Sequence, residues 1–447
     1  MTEPLSPADR SSLAAERGPV HMTVGGLLIF ADGPGLAHDA IVERVRARLH
    51  LLPRYRQRLQ SFAPGLANPV WADDEDFDLG RHIRVTRLPA PGDDERLGEL
   101  VGHELSRQLD RARPLWELTI IESLEGGRTA LLAKMHHALV DGIAAVDIGT
   151  VLLDPGPEPL DIPPPAEPWE PQPYERARHL ARLSFSPAVR AQRMAIEGAQ
   201  RALATDPLGA AGQAAGDLRR ATELVAELAR TRPQAPMTRL NKGIGPNRRF
   251  ATASLPLAGL KAAAKAHGAT VNDGVLAVVC GMLRRYLEEA GEELAAAPVA
   301  LVPVSVREAG DEGGNRISTV LVELPAGEPD PLARLLAIRD ATRALKDSAA
   351  VRASVDETMG GVRAFNLVVS NVPGPQMPLY LNGERLLAVH PAVPLNPASQ
   401  GLSVGVLSYD GGVFAGLLAD RDLDPPLAVA ARAFAGAATE LLALAPP

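Results

Sequence analysis

The sequence predicts an α/β (α+β) protein built from two halves of similar kind that are joined by a proline-rich crossover. Apolar segments with strand and helix periodicity occur in both halves of the 447-residue chain, which is long enough for two or three packed domains. Nine prolines lie between Pro155 and Pro173, where neither a regular helix nor a central strand can form. We therefore predict an N-terminal domain over residues 1–153, a proline-rich and helical crossover over residues 154–247, and a C-terminal domain over residues 248–447.

Each half shows the periodicity of strands and helices. In the first half, the apolar residues Ile41, Val45 and Leu49 share one face of a predicted helix. The strands expected there are Val20–Phe30, Leu118–Leu124 and Arg128–Met135, and the helices are His38–His50 and Ile143–Leu153. The crossover is expected to continue as helices over Tyr174–Ala204 and Gly209–Thr231.

The second half carries the strongest local signals. Asp330 and Pro331 are typical of a helix start, and the unbroken apolar run Val299–Arg307 is typical of a buried strand. Further strands are expected near Arg248–Leu257, Ile317–Pro325, Phe365–Pro373, Leu402–Tyr409 and Val413–Leu418, and helices at Pro256–His267, Val271–Ala290, Asp330–Ser348 and Pro425–Leu444.

Composition excludes several classes of protein. A formal net charge of -8 argues against a general nucleic-acid binder. The single cysteine, Cys280, allows no disulfide within the chain and no cysteine-based metal site, and its apolar surroundings predict burial. The N-terminal residues lack the pattern of a signal peptide, and no window of about 18 residues reads as a spanning helix. We therefore expect a cytoplasmic protein.

The segment K-M-H-H-A-L-V-D-G places His136 and His137 at the end of a predicted strand, with Asp141 and Gly142 after them. Neighbouring strand residues point to opposite faces, and no third ligand follows at metal-site spacing, which argues against a metal site. The chain has no Gly-x-Ser-x-Gly elbow for a serine nucleophile. General base catalysis by one histidine fits best, because imidazole exchanges protons near neutral pH.

A structural interpretation of this segment stays open from the residues alone. The two histidines could simply pack at the end of the strand, with Asp141 capping the following helix. In the catalytic interpretation, Asp141 and Gly142 shape the turn and fix the orientation of the histidine, and Asp141 can also pair with a distant arginine.

Several motifs occur in the order found in a known family. The segment His136-His137-x-x-x-Asp141-Gly142 fits the signature of CoA-dependent acyltransferases, which include chloramphenicol acetyltransferase-like and condensation domains. The accompanying segments are Leu5-Ser6-Pro7-Ala8-Asp9, Pro69–Leu79, Pro114–Glu117, Val271-Asn272-Asp273, Pro303–Arg307 with Gly314-Asn315, and Ser370–Pro375. Over nearly its whole length the chain thus resembles the bacterial wax ester synthase/diacylglycerol acyltransferase family. It departs from that family at Gly274, where a bulkier apolar residue is more usual, so that local helix packing or tunnel width can differ.

The resemblance implies two chloramphenicol acetyltransferase-like domains with a tunnel between them. It also implies a diacylglycerol O-acyltransferase or wax ester synthase in which His137 takes the proton of an alcohol that attacks fatty acyl-CoA directly. Acyl-CoA is then a co-substrate, and no cofactor or metal is expected. Asn272 is a candidate donor to the oxyanion, although it could equally be a helix cap. His136, Asp141 and Gly142 complete the expected catalytic set.

Other matching positions are candidates for substrate binding. They are Pro114, Leu115, Trp116, Asp273, Ser370 and Asn371. A tryptophan next to a leucine also fits a protein core, and the Ser370–Pro375 segment also fits a structural loop. Gly25 and Gly26 are expected to allow close contact between strands.

Acylglycerols are nearly insoluble, so the resemblance implies peripheral contact with the inner membrane or a lipid droplet. Two arginine-rich segments are candidates for this contact: Arg46–Gln60, and the crossover piece around Arg176–Arg193. Either could instead bind CoA phosphates or form a solvated helix face. A related acyltransferase with another alcohol or a carrier-bound acyl donor, and a non-catalytic lipid-binding homologue, remain the alternative functions.

Overall fold

The computed structural model describes residues 3–62, 68–139, 151–175, 235–306, 316–347, 364–395 and 400–446. The strands in this part of the chain are β1 (Glu3–Pro4), β2 (Thr23–Ala31), β3 (Gln57–Gln60), β4 (Val70–Asp73), β5 (Ile83–Arg87), β6 (Trp116–Leu124), β7 (Arg128–His136), β8 (Arg248–Pro256), β9 (Val299–Val306), β10 (Arg316–Glu323), β11 (Leu367–Pro373), β12 (Tyr380–Leu381), β13 (Glu384–Ala392), β14 (Leu402–Tyr409) and β15 (Gly412–Asp420). The helices are α1 (Pro7–Ala15), α2 (His38–Arg48), α3 (Asp94–Ser106), α4 (Leu257–Ala266), α5 (Val271–Glu289), α6 (Pro331–Asp347) and α7 (Leu427–Leu442).

The first large sheet has the strand order β12-β13-β2-β7-β6-β5. β13 pairs antiparallel with β2, so that Leu386 lies opposite Phe30 and Pro391 lies opposite Gly26. Two strands from residues 380–392 therefore complete a sheet that otherwise comes from the first 136 residues. The domain boundaries predicted from the sequence remain a prediction, but this strand exchange crosses them.

The second large sheet has the order β10-β9-β11-β14-β15-β8 and packs against a layer of helices. α5 forms the centre of that layer, and its residues from Asp273 to Leu283 are all buried. Cys280 is fully buried there, and burial raises the pKa of its thiol to about 12. The expectation of a buried cysteine is thus confirmed.

Gly274 lies where α4 packs on α5. A Cβ atom at this position would sit 2.7 Å from Leu260 Cδ1 and 3.7 Å from the Cβ atom of Ala264. The missing side chain therefore lets the two helices approach closely. The departure from the family pattern at Gly274 thus affects how α4 packs on α5.

The sheets touch through β13, at a second glycine. A Cβ atom at Gly416 of β15 would lie 2.0 Å from the carbonyl oxygen of Pro391 in β13. Only glycine fits at such an approach between backbones. Apolar residues of both halves share one core at this junction, among them Leu27, Ile29, Phe250 and Leu418.

The crossover begins with a buried ion-pair cluster. Asp154 is fully buried, and its carboxylate accepts hydrogen bonds from Arg44 and, at 2.7 Å, from Arg48. Its backbone forms a bridge with Tyr380 next to β13. The start of the crossover is therefore attached to α2 and to the edge of the first sheet.

The proline-rich stretch continues along the first half. Residues 155–175 contain no helix or strand, as the prolines predict. The Trp169 ring lies under the Arg56 guanidinium, at 4.4 Å, and edge-on to Phe77. The Gln172 N–H donates to Asp73 Oδ2 at 3.0 Å. Most of the predicted helix over Tyr174–Ala204, all of the one over Gly209–Thr231 and most of Ile143–Leu153 lie outside the described residues.

Of the three alternatives for Arg46–Gln60, namely membrane contact, CoA binding and a solvated helix face, the structure contradicts the third. The helix ends at Arg48, the chain continues through short turns, and β3 follows from Gln57. Leu49 and Tyr55 are buried. Most of the arginines bind acidic or aromatic side chains of the first half or of the start of the crossover: Arg48 with Asp154, Arg54 with Glu3 and Trp71, Arg56 with Trp169, and Arg58 with Asp74. The second arginine-rich segment, around Arg176–Arg193, lies outside the described residues.

Among the described helices, none alone has the length and apolar composition needed to cross a membrane. α4 and α5 satisfy the criterion only when they are taken together, across a bend of 100°.

Replacement of Asp154 by asparagine is expected to destabilise the protein strongly. The change leaves the guanidinium groups of Arg44 and Arg48 buried without a counter-charge, which costs about 3–5 kcal/mol of unfolding free energy. Glu122→Gln is the matched control, because its partner Arg87 is largely exposed and such a pair contributes about 1 kcal/mol or less. Denaturant titration measures both variants, and equal destabilisation would contradict the role given to Asp154.

Candidate active site

Helix α1 begins with two reciprocal hydrogen bonds. The Asp9 N–H donates to Ser6 Oγ at 3.0 Å, and the Ser6 N–H donates to Asp9 Oδ2 at 3.2 Å. Pro7 occupies the first turn, where its missing N–H costs nothing, and Leu5 is buried just before the helix. The segment L-S-P-A-D therefore fixes where α1 starts.

His136 ends β7 and is almost fully buried, at 1% exposure. Its Nδ1 accepts the Ala138 N–H at 3.0 Å, so the ring proton lies on Nε2. Nε2 is 3.5 Å from Glu16 Oε2, and the same carboxylate oxygen accepts from Arg111 Nε at 3.1 Å. The ring of His136 is thereby held from both sides.

Glu16, which follows the last residue of α1, carries the charge in this cluster. Burial alone would raise the pKa of its carboxyl, but the contacts with His136 and Arg111 outweigh burial and lower that pKa to about 2. Glu16 is therefore ionised across the working pH range, and it holds the end of α1 against the histidine turn.

His137 is half-buried and already belongs to the turn that follows β7. Its N–H donates to the Met22 carbonyl at 2.7 Å, and its Nδ1 lies 3.3 Å from Ser12 Oγ. The two histidine rings contact Ser12 of α1 and Glu16, the residue that follows α1. The strand alternation assumed for the pair ends at His136, because His137 lies in the turn. The two histidines do have different partners, as expected.

A buried lysine supports the strand below the histidines. Lys134 Nζ donates to the carbonyl oxygens of Glu104 and Arg107, at 2.9 and 2.5 Å, and so binds the end of α3. Burial lowers the pKa of Lys134 to about 8, although Glu117 at 3.9 Å opposes the shift. On the neighbouring strand, a Cβ atom at Gly25 would lie 2.2 Å from the Ala133 carbonyl oxygen, so Gly25 allows the close strand contact expected there.

The second group of candidate residues lies where α5 meets β11. Asn371 Nδ2 donates to Asn272 Oδ1 at 3.1 Å, so two of the expected residues are in direct contact. The helix cap is Thr270, which removes the alternative that Asn272 is the cap. Ser370 is half-buried in β11 beside Asn371.

Asp273 is engaged inside the protein. Its Oδ2 accepts from the N–H and the hydroxyl of Thr270, each at 2.8 Å, and its Oδ1 accepts from Thr342 at 2.7 Å. The carboxylate thus completes the start of α5 and joins it to α6, and its expected part in substrate binding remains a prediction.

Pro114, Leu115 and Trp116 are buried in the core of the first half. The Trp116 indole N–H donates to the Tyr55 carbonyl at 2.8 Å, and its ring stacks on His82 at 4.4 Å. The Leu115 carbonyl accepts the His136 N–H at 3.0 Å, which links this segment to the backbone of the histidine pair. Their expected role along the acyl path remains a prediction.

Asp141 and Gly142 lie outside the described residues. Sequence reasoning missed Ser12 and Glu16, which supply the side-chain contacts of the histidine rings. The Ser6-x-x-Asp9 pattern indicates a helix start, but no local signal indicates what Ser12 and Glu16 contact. Within the described part of the chain, no group of three or more His, Cys, Asp or Glu residues could hold a metal ion.

Comparisons with known proteins give the same family over both halves. Residues 5–275 match the model of the wax ester synthase/diacylglycerol acyltransferase catalytic domain, and residues 313–355 and 349–441 match the WS/DGAT C-terminal domain. A putative diacylglycerol O-acyltransferase of Mycobacterium tuberculosis is 37% identical over 87% of this chain and 88% of its own length. The O-acyltransferase WSD of Acinetobacter baylyi is 33% identical over 94% and 93%.

Solved structures agree on the fold. The wax ester synthase/diacylglycerol acyltransferase of Marinobacter aquaeolei VT8 aligns with a TM-score of 0.71 and 29% identity over 98% of both chains. A starter condensation domain of rhizomide synthetase aligns with a TM-score of 0.58 over 100% of this chain and 96% of its own, at 14% identity, which shows a shared fold alone. The predicted fold class is confirmed, and the chain belongs to the wax ester synthase/diacylglycerol acyltransferase family.

Proposed function

We propose that this protein is an acyl-CoA-dependent O-acyltransferase that forms triacylglycerol from diacylglycerol and fatty acyl-CoA, and wax esters from long-chain alcohols. The observation that carries the proposal is the position of His137 in a member of this family. The ring is half-buried, the backbone N–H of the residue forms a hydrogen bond, and Nδ1 of the ring contacts Ser12. The M. tuberculosis relative is named a diacylglycerol O-acyltransferase and the Marinobacter structure a wax ester synthase/diacylglycerol acyltransferase, which supports both alcohols.

In the proposed reaction, His137 takes the proton of the alcohol through Nε2. The alcohol oxygen attacks the thioester carbonyl and forms a tetrahedral oxyanion. When this intermediate collapses, the C–S bond breaks and the leaving CoA sulfur takes the proton from the imidazolium. Both substrates meet at one base in a tunnel between the halves, so no acyl-enzyme is needed. The fixed, buried ring of His136 shapes the turn that presents His137.

We assign the oxyanion donor to Asn272. Its Oδ1 accepts from Asn371 Nδ2, and this contact sets which way the amide is turned. The Asn272 Nδ2 group can then donate to the developing negative charge, and a donor fixed before the reaction is worth more than a mobile one. Ser370 and Asn371 would line the same side of the substrate path.

We further propose peripheral contact with a membrane or lipid droplet. Leu51 and Leu160 are 45% and 54% exposed, and both are near Arg48: Leu51 follows it by three residues, and the Leu160 carbonyl accepts from its Nη2 at 3.1 Å. An enzyme that acts on insoluble lipids must meet a lipid surface. Exposed leucines can insert there, at the boundary between the headgroups and the acyl chains.

The His137→Ala variant is expected to lose product formation by about 10²–10⁴-fold, because no other group replaces the base. The assay supplies labelled palmitoyl-CoA with dioleoylglycerol or hexadecanol and measures triacylglycerol or wax ester. His103→Ala removes an exposed histidine of α3 and should keep full activity. Activity that survives in folded His137→Ala protein would exclude this histidine as the base.

The Asn272→Asp variant tests the oxyanion donor. It keeps the side-chain shape and an acceptor for Asn371, but it loses the amide donors, so kcat should fall by about 10²–10³-fold. Gln376→Glu makes the same chemical change at an exposed amide of the same half and should leave kcat unchanged. An unchanged kcat in Asn272→Asp would show that another group stabilises the oxyanion.

The Leu51→Glu/Leu160→Glu double variant tests the lipid contact. Sedimentation with phosphatidylcholine–phosphatidylglycerol vesicles should show binding weakened by at least about tenfold, since two leucines leave the apolar phase. Leu387→Glu, at an exposed leucine of β13, is the control. If the control and the double variant bind equally, the contact lies elsewhere.

A further inference from the structure

Helix α1 and the residue that follows it contact both histidines. Ser12 Oγ lies 3.3 Å from His137 Nδ1, and the Glu16 carboxylate lies 3.5 Å from His136 Nε2. Ser12 lies in the last turn of α1 and Glu16 caps its C-terminal end, so a single short helix with its cap reaches both rings. Neither Ser12 nor Glu16 belongs to the His-His-x-x-x-Asp-Gly motif, and they lie about 120 residues earlier in the chain.

Burial and the contacts at both ends of α1 fix the position of Ser12. The residue is 8% exposed. The Ser6–Asp9 capping box fixes the start of α1 ahead of it, and Glu16 with Arg111 and His136 fixes the end behind it. Because both ends of α1 are fixed, the backbone at Ser12 is fixed as well. The short serine side chain then holds its hydroxyl in one place with little loss of rotamer freedom.

We propose that Ser12 is a positioning residue for the base, an inference that rests on the proposed role of His137. For Nε2 to accept the alcohol proton, the neutral ring must carry its own proton on Nδ1. That Nδ1–H then donates to Ser12 Oγ, and this contact fixes the plane of the ring. Once Nε2 takes the second proton, the same hydroxyl oxygen accepts from a charged imidazolium, and the hydrogen bond becomes stronger.

Several titratable groups surround the pair in the described residues. His136 is adjacent, Glu16 and Arg111 lie beyond it, and His21 precedes Met22, whose carbonyl binds the His137 N–H. Burial, with help from the charge of Arg248, lowers the pKa of His21. Ser12 is uncharged at every working pH, so its removal changes one hydrogen bond of His137 without changing the charge around it.

The Ser12→Ala variant should lower kcat by roughly ten- to hundredfold, because a hydrogen bond to a charged group is lost in the transition state. KM for palmitoyl-CoA should stay within about twofold, since the substrates do not depend on the tautomer. Loss of the acceptor disfavours the protonated ring, which lowers the pKa of His137. The acid limb of the kcat profile should therefore move to lower pH.

Two matched variants complete the experiment. Ser12→Thr keeps the hydroxyl and should restore both kcat and the acid limb. Ser11→Ala removes the exposed neighbouring serine of α1 and should behave like the unmodified protein. Thermal unfolding of each variant separates a loss of fold from a loss of positioning, because a purely structural role would lower Tm without moving the pH profile.

The outcomes separate this inference from the proposed function. If His137→Ala is inactive but Ser12→Ala keeps the kcat and the pH profile of the unmodified protein, the role of Ser12 is overturned and the base role stands. A kcat loss in Ser12→Ala with an unmoved acid limb, or no rescue by Ser12→Thr, overturns the role of Ser12 as well. If His137→Ala is active, the base role of His137 fails and the role of Ser12 fails with it, whereas the absence of product from the unmodified protein would contradict the proposed function.

Discussion

The position of the histidine pair depends on the antiparallel register between β2 and β7. Thr23 lies opposite His136, and the next hydrogen bond joins the His137 N–H to the Met22 carbonyl. A shift of one residue would turn every side chain of β7 to the other face of the sheet. The close approach at Gly25 and the cross-strand contacts on both sides of β7 fix this register, and the chemistry of the site follows from it.

Clusters of buried charges hold the first half together at several points around this pair of strands. Glu16 binds His136 and Arg111, Lys134 binds the end of α3, and Asp154 binds two arginines of α2. Each cluster joins segments that are far apart in the chain. Burying ions costs solvation energy that their attraction only partly returns, so these clusters favour one arrangement of segments over others more than they add stability.

Elements with strong local signals could be predicted from the sequence. The Asp330–Pro331 helix start, helix α5 and strands β14 and β15 were all expected where they occur, because each signal lies within its own segment. The ordered motifs also indicated the family. In the site, the contact of Asn272 with Asn371 joins two residues that were both expected, although nothing in the sequence indicated that they touch.

The remaining features depend on contacts between distant segments. β13 contains Pro391 and His390 and has no clear alternation, and it becomes a strand because β2 offers it an edge. The arginines of Arg46–Gln60 look like a solvated face until their acidic partners are known. Ser12 and Glu16 carry no catalytic signature of their own, and only the packing of α1 against the turn after β7 gives them a role.

The strands from residues 380–392 have a consequence for how the protein is made. During synthesis the first 136 residues leave the ribosome with β2 as a bare sheet edge, and the strand that covers it is translated about 250 residues later. In the interval this edge can pair with other chains. A recombinant fragment that stops before β13 would therefore leave β2 with an unpaired edge that lies inside the sheet of the whole protein.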